Sequence, residues 1–177
     1  MASKKIDLKQ YIRSIPDWPK KGILFRDITP LLGDPRAFAS AVEALSAEFS
    51  GAGVDYVAAV EARGFIFGAA VAEKLAAGFI PIRKKGKLPW RTESFTYDLE
   101  YGTDTLEVHR DAVRSGSKVL MVDDLLATGG TMAAACKLIE KIGGRVAGIA
   151  FLVELADLKG REKLTGYKLT SVISYTD

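Results

Sequence analysis

The chain has 177 residues, close to the ~150 residues of one domain, and is long enough to bury about two-thirds of its unfolded surface. With 48% hydrophobic and 27% charged residues it is neither disordered nor membrane-spanning, since no apolar run approaches ~18 residues. Twenty-five basic against 22 acidic residues leave +3, too little to imply nucleic acid but compatible with a local anion site. One cysteine, Cys136, excludes an intramolecular disulfide, and one histidine, His109, argues against a histidine metal site. Both are expected to be structural. Any bound metal must then take oxygen ligands, which points to magnesium, calcium or manganese.

The first residues are polar and carry no apolar stretch with a cleavage site, so a cytoplasmic location is expected. Residues 6–15 place apolar side chains at 6, 8, 11, 12 and 15, a helical spacing that Pro16 and Pro19 end. The stretch up to Gly33 reads as a structured loop. Asp34 before Pro35 is a cap followed by a first-turn proline. The helix it starts carries Phe38, Val42, Leu45 and Phe49 on one face.

Residues 54–60 read as a buried strand, with a turn at Arg63 and a helix from Gly64. Residues 79–82 are a short strand followed by a basic loop. Residues 95–100 and 105–109 read as two strands around a turn, the second with Leu106 and Val108 inward and Thr105, Glu107 and His109 outward. Residues 118–122 are an apolar strand ending in two carboxylates. A helix with Met132, Cys136, Ile139 and Ile142 on one face follows, then strands at 146–153 and 169–174. Alternating strands and helices predict an α/β fold, a parallel sheet covered on both faces. No repeat or linker appears. One domain spans 1–177, with residues 1–33 as an arm and small hood.

The strongest chemical signal is VLMVDDLLATGGT, residues 119–131. A buried strand delivers Asp123 and Asp124, and a short loop of Ala127, Thr128, Gly129, Gly130 and Thr131 opens a helix. Glycines let backbone N–H groups turn inward, and the helix N-terminus adds positive character, which suits a phosphate. Carboxylates beside such a loop suit ribose hydroxyls or a metal-bound sugar phosphate. The string is neither a Walker loop nor a GxGxxG fingerprint. A receiver-like reading of VLMVDD would need about 100 more residues after the acids, and 53 remain. A second signal is EARGF at 61–65, where an arginine fork at a helix start can grip pyrophosphate oxygens. Standing alone, Arg63 is equally compatible with pairing to Glu61 or a neighbouring acid.

This string resembles the ribose-phosphate signature of the type I phosphoribosyltransferases. With FRDITPLL, EARGFIFG, IRKKGKLP, YDLEYG and LVELADLKGREKL, the resemblance is to the adenine-using branch of that family along essentially the whole chain. The resemblance implies a sheet with flanking helices and an N-terminal hood. It implies transfer of the phosphoribosyl group of phosphoribosyl pyrophosphate (PRPP) to adenine, giving AMP and pyrophosphate in purine salvage. Magnesium would be carried by PRPP and water rather than by side chains, in a homodimer without nucleic acid or membrane partners.

By that resemblance Asp123 and Asp124 hold the ribose, and the loop from Ala127 to Thr131 holds the 5′-phosphate. Ala62, Arg63, Gly64, Arg83, Lys84 and Lys87 face the pyrophosphate, some of them across a dimer interface. Leu24, Phe25, Arg26 and Leu155 enclose the base. Glu100 and Arg63 are the catalytic candidates, and Tyr101 guards a mobile lid over residues 89–97 that includes Trp90. Ala127 stands where the 6-oxopurine enzymes carry an aspartate, which argues for adenine. A PRPP-sensing regulator without catalysis and an enzyme for another base are the rival readings.

Overall fold

Long apolar runs set the frame of the fold, described by the computed structural model over residues 6–99 and 102–176. β3 (Tyr56–Val60), β7 (Lys118–Leu126) and β8 (Arg145–Leu155) are buried on both faces, as strands inside a covered parallel sheet must be. They sit at the centre of a seven-stranded sheet with β4 (Gly78–Lys84), β5 (Thr92–Asp98), β6 (Thr103–His109) and β9 (Leu169–Tyr175), in the order β5-β6-β4-β3-β7-β8-β9. β4-β3-β7-β8-β9 are parallel, while β5 and β6 form an antiparallel hairpin on the β4 edge.

Alternate residues of one strand build two cores. Leu120 and Val122 face α2 (Pro35–Ser46) and α3 (Arg63–Lys74), with Ala41, Leu45, Phe67 and Val71. Val119 and Met121 face α4 (Gly130–Lys141), with Met132, Ala135, Cys136 and Ile139. Asp34 caps α2 as the sequence predicts, accepting from Arg36 N and Ala37 N at 2.9 Å each.

The crossover β3-α3-β4 runs one way from the sheet centre and β7-α4-β8 runs the other, on opposite faces. The neighbours β3 and β7 therefore frame a topological switch point, where open α/β sheets bind ligands beyond the strand ends.

Four local expectations differ from the structure. The segment 6–15 is a single 3-10 turn (Leu8–Tyr11) followed by β1 (Arg13–Pro16), not a helix. Pro16 and the β-branched Ile12 and Ile15 disfavour helix there, and pairing with β2 (Leu24–Asp27) supplies the backbone hydrogen bonds. The expected loop before Gly33 thus contains β2 and a short α1 (Thr29–Gly33). The expected lid is ordered pairing from Thr92 onward, in register with β6. Its alternate residues Phe95 and Tyr97 pack onto the α4 core. Finally, Glu107 is buried rather than outward, because its Oε2 accepts the Gly86 amide at 3.0 Å.

Candidate functional site

β7 runs through both carboxylates and stops four residues later than the sequence suggests, because Leu125 and Leu126 continue the ladder with β8. Asp123 and Asp124 therefore project from a rigid central strand. The Asp124 amide donates to Asp123 Oδ1 at 2.9 Å. Burial, reinforced by the neighbouring Asp124 charge, pushes the Asp123 carboxyl well above the usual range. Asp124 is 6% exposed, and its Oδ2 lies 2.8 Å from Arg63 Nε. That N–H is not aligned on the oxygen. Asp124 Oδ2 is enclosed yet accepts no hydrogen bond among the described residues. An enclosed acceptor without a donor is costly unless a ligand supplies one.

Gly64, the second residue of α3, passes so close that a Cβ there would lie 2.5 Å from Asp123 Oδ1. Glycine is required for that approach. The loop 127–131 turns beside the carboxylates. Gly129 has φ +79°, and a Cβ on it would run into the Gly160 carbonyl oxygen. A Cβ on Gly160 would in turn meet the Ala127 carbonyl. Two glycines thus let the loop 127–131 and the turn before Arg161 pack backbone to backbone. α4 starts at Gly130, so its first-turn N–H groups have no partners within the helix. Glu61–Arg63, Asp123, Asp124 and the loop 127–131 line one cavity of about 310 Å³.

Glu61, at the end of β3, organises the basic stretch. It accepts from Lys84 N at 2.6 Å, Lys87 Nζ at 2.8 Å and Arg83 Nη2 at 3.3 Å. Burial works against its ionisation, but Lys87, the Lys84 amide and Arg83 outweigh it and hold the carboxyl at about 2. Arg83 and Lys87 are thereby drawn to the cavity's edge. The Lys84 ammonium turns away, to Asp104 Oδ2 at 3.0 Å. The peptide between Glu61 and Ala62 is cis.

The hood reaches the same region. Phe25 packs edge-on against Trp18, ring centroids 4.3 Å apart, and the Arg63 guanidinium lies 5.3 Å from the Phe25 ring centre. Arg26 is buried, donates to Ser14 Oγ at 2.5 Å and stacks 3.8 Å above Tyr175. Leu155 is the β8 partner of Tyr175, so Arg26 and Leu155 both neighbour Tyr175 at one end of the β8–β9 pair. Leu24 is exposed. Glu100 and Tyr101 lie outside the described residues. Cys136 is buried with its thiol pushed up to about 12 by burial, and His109 ends β6 opposite Thr92.

Three contributors escape the sequence reading. Glu61 appears there only as one possible partner for Arg63. Tyr97 Oη lies 3.1 Å from Thr131 Oγ1, whereas the sequence gives Tyr97 only a place in a strand and lid, with no partner. Gly160 has no sequence signal, since its need arises from contact with a loop 31 residues away. For Glu61 the signal available is its position as the first polar residue after a fully buried strand.

Comparison with known proteins agrees along the chain. A family model for the phosphoribosyl transferase domain matches residues 32–174. The adenine phosphoribosyltransferase of Thermotoga neapolitana is 56% identical over 170 residues, covering 96% of this chain and all of the relative. That of Pseudothermotoga lettingae is 55% identical with the same coverage. A crystal structure of the enzyme from Thermoanaerobacter pseudethanolicus superposes with a TM-score of 0.92 at 55% identity, covering 96% of this chain and 98% of the other. The Saccharomyces cerevisiae enzyme, solved with an imino-altritol bisphosphate and adenine, gives 0.89 at 38% identity, covering 94% and 96%.

Proposed function

The chain belongs to the adenine phosphoribosyltransferases, and on that premise we propose that it transfers the phosphoribosyl group of PRPP to adenine in purine salvage, releasing AMP and pyrophosphate. The observation that carries this reading is that Asp124, enclosed and with Oδ2 2.8 Å from Arg63 Nε, lines the same cavity as a glycine-turned helix N-terminus.

The roles follow from the chemistry of each group. Asp124, lining the cavity beside Arg63, accepts a ribose hydroxyl. Asp123, kept towards its neutral form, braces the strand end and can donate. The N–H groups of the loop 127–131, with Thr128 and Thr131, hold the 5′-phosphate. Arg63 sits between the two halves, with Asp124 on one side and Phe25 on the other. With Ala62, Gly64, Arg83 and Lys87 it faces the pyrophosphate, whereas the Lys84 ammonium is held by Asp104 instead. As the bond to the anomeric carbon breaks, negative charge gathers on the leaving group, and these fixed cations stabilise it without reorganising.

Among the described residues, no group of three or more His, Cys, Asp or Glu side chains forms a metal cage. Magnesium that enters with PRPP and keeps its water suits this site, where Asp124 would face the hydrated ion. When bound, the ion offsets pyrophosphate charge. Main-chain groups of Leu24, Phe25 and Arg26 read the amino face of the base, and Phe25 and Leu155 cover its two faces. A 6-oxo base would leave those groups unpaired once it covers them. Glu100, assigned by its motif, stabilises positive charge developing on the sugar. We place the enzyme in the cytoplasm as a homodimer; no helix among the described residues is long and apolar enough to cross a membrane.

The test is pyrophosphate release from PRPP and magnesium with each nucleobase in turn. Release with adenine alone is expected. Release with another base, or binding of PRPP without release, would overturn the assignment in favour of another base specificity or a sensor.

A further inference from the structure

The β5–β6 hairpin meets the phosphate loop through a pair of hydroxyls. Tyr97 Oη lies 3.1 Å from Thr131 Oγ1, in the first turn of α4. Tyr97 faces Asp104 across the hairpin ladder, and Lys84 Nζ holds the Asp104 carboxylate at 3.0 Å. The Lys84 amide is in turn fixed by Glu61. Polar groups therefore run from the basic stretch to the phosphate loop in the order Lys84, Asp104, Tyr97, Thr131.

Each hydroxyl carries one proton, so this row has two polarities. If Thr131 donates to Tyr97, Tyr97 is free to donate to Asp104, and Thr131 offers the cavity only lone pairs. Those repel a phosphate oxygen. If Tyr97 donates to Thr131, the Thr131 proton is free for the cavity, and Asp104 keeps Lys84 Nζ at 3.0 Å and the Thr105 amide at 2.9 Å. Burial holds the Tyr97 phenol above its ordinary value, so the proton is present at neutral pH.

We propose that Tyr97 is a positioning residue of the 5′-phosphate subsite, donating to Thr131 Oγ1 so that Thr131 donates its own proton to the phosphate. This rests on the assignment of the loop 127–131 to the 5′-phosphate. Tyr97 touches no substrate; it acts through Thr131 and sets the direction of one hydrogen bond. Its effect belongs to ligands with a 5′-phosphate and not to pyrophosphate.

The experiment measures binding of ribose 5-phosphate and, separately, of pyrophosphate by calorimetry. The full-length parent is compared with Tyr97→Phe, Thr131→Val and the double variant. Tyr97→Phe keeps the ring that packs on α4 and removes only the hydroxyl. We expect it to weaken ribose 5-phosphate about 3- to 10-fold, the range of one hydrogen bond, and pyrophosphate by less than about twofold. Because Tyr97 works through Thr131, the double variant should bind ribose 5-phosphate no more weakly than Thr131→Val, within about twofold. If Thr131→Val weakens ribose 5-phosphate while Tyr97→Phe does not, Tyr97 is only packing; the proposal fails and the phosphate-loop assignment stands. If Thr131→Val leaves ribose 5-phosphate unchanged, that assignment fails and the proposal with it. Losses that multiply in the double variant, or equal losses for both ligands, would show that Tyr97 acts through the placement of the hairpin, which also overturns the proposal.

Discussion

Gly129→Ala perturbs the phosphate loop through the backbone alone, and Gly51→Ala provides its control. Both glycines hold left-handed backbone, at φ +79° and +80°. A Cβ on Gly51 meets nothing within 4 Å, whereas one on Gly129 would lie 3.1 Å from the Gly160 carbonyl carbon and 3.2 Å from its Cα, with the oxygen nearer still. Gly51→Ala therefore carries only the left-handed conformational cost of about 1 kcal/mol, or about 2–4 °C in Tm for a chain of this size. Gly129→Ala carries that cost and must also open the gap. Carbon atoms pack at about 3.5–4.0 Å, so the two backbones have to part by roughly 0.5 Å, and more at the oxygen. Overpacking of this kind costs about 1–3 kcal/mol. The sum, about 2–4 kcal/mol, corresponds to a fall of about 4–16 °C. The loop cannot yield without moving its N–H groups. A misplacement approaching 1 Å lowers turnover by up to about 10²-fold. Thermal melts and AMP formation at varied PRPP measure both effects. If Gly129→Ala melts like Gly51→Ala and turns over like the parent, the backbone contact does not position the loop.

Three further outcomes follow from the same geometry. Asp124→Asn makes a charged acceptor partly a donor and removes its ion pair with Arg63, so the PRPP concentration needed for half-maximal rate should rise about 10- to 150-fold; an unchanged requirement would refute the ribose role. Glu61 is held at about 2, below its unfolded value near ~4.3. Its stabilisation is present above the unfolded value and is lost as pH falls towards 2. Glu61→Gln should therefore cost on the order of 2–3 kcal/mol at pH 7, allowing for the half-exposed Lys87, and clearly less at pH 3. Urea melts showing the same deficit at both values would refute it. Glu100→Gln should slow single-turnover AMP formation at least ~10²-fold with substrate binding nearly intact; an unchanged single-turnover rate would make Glu100 a strand-end acid.

The α/β frame was legible because its strands are continuous apolar runs and its helices carry single apolar faces. Asp123, Asp124 and the glycine loop were legible for a related reason: strand, acids, loop and helix start are contiguous in sequence. Arg63 was visible as a candidate, but its partner Asp124 lies 61 residues away, and only the β3–β7 pairing brings them together. The same holds for Glu61 with Lys87 and for Gly129 with Gly160. The N-terminal segment misled because apolar spacing over ten residues fits a helix, while a strand there depends on β2, which follows Pro16 and Pro19. Glu107 misled because an acid in an alternating strand reads as outward, and the Gly86 amide that satisfies it belongs to another loop.

A crystal structure of the protein with AMP bound is the most direct test of the account. It should place the 5′-phosphate within hydrogen-bond distance, about 2.7–3.2 Å, of the N–H groups of the loop 127–131. A ribose hydroxyl should donate to Asp124, and the adenine should lie between Phe25 and Leu155. AMP bound outside the cavity, or inside it with the phosphate against Arg83 and Lys87 and the loop 127–131 empty, would contradict it.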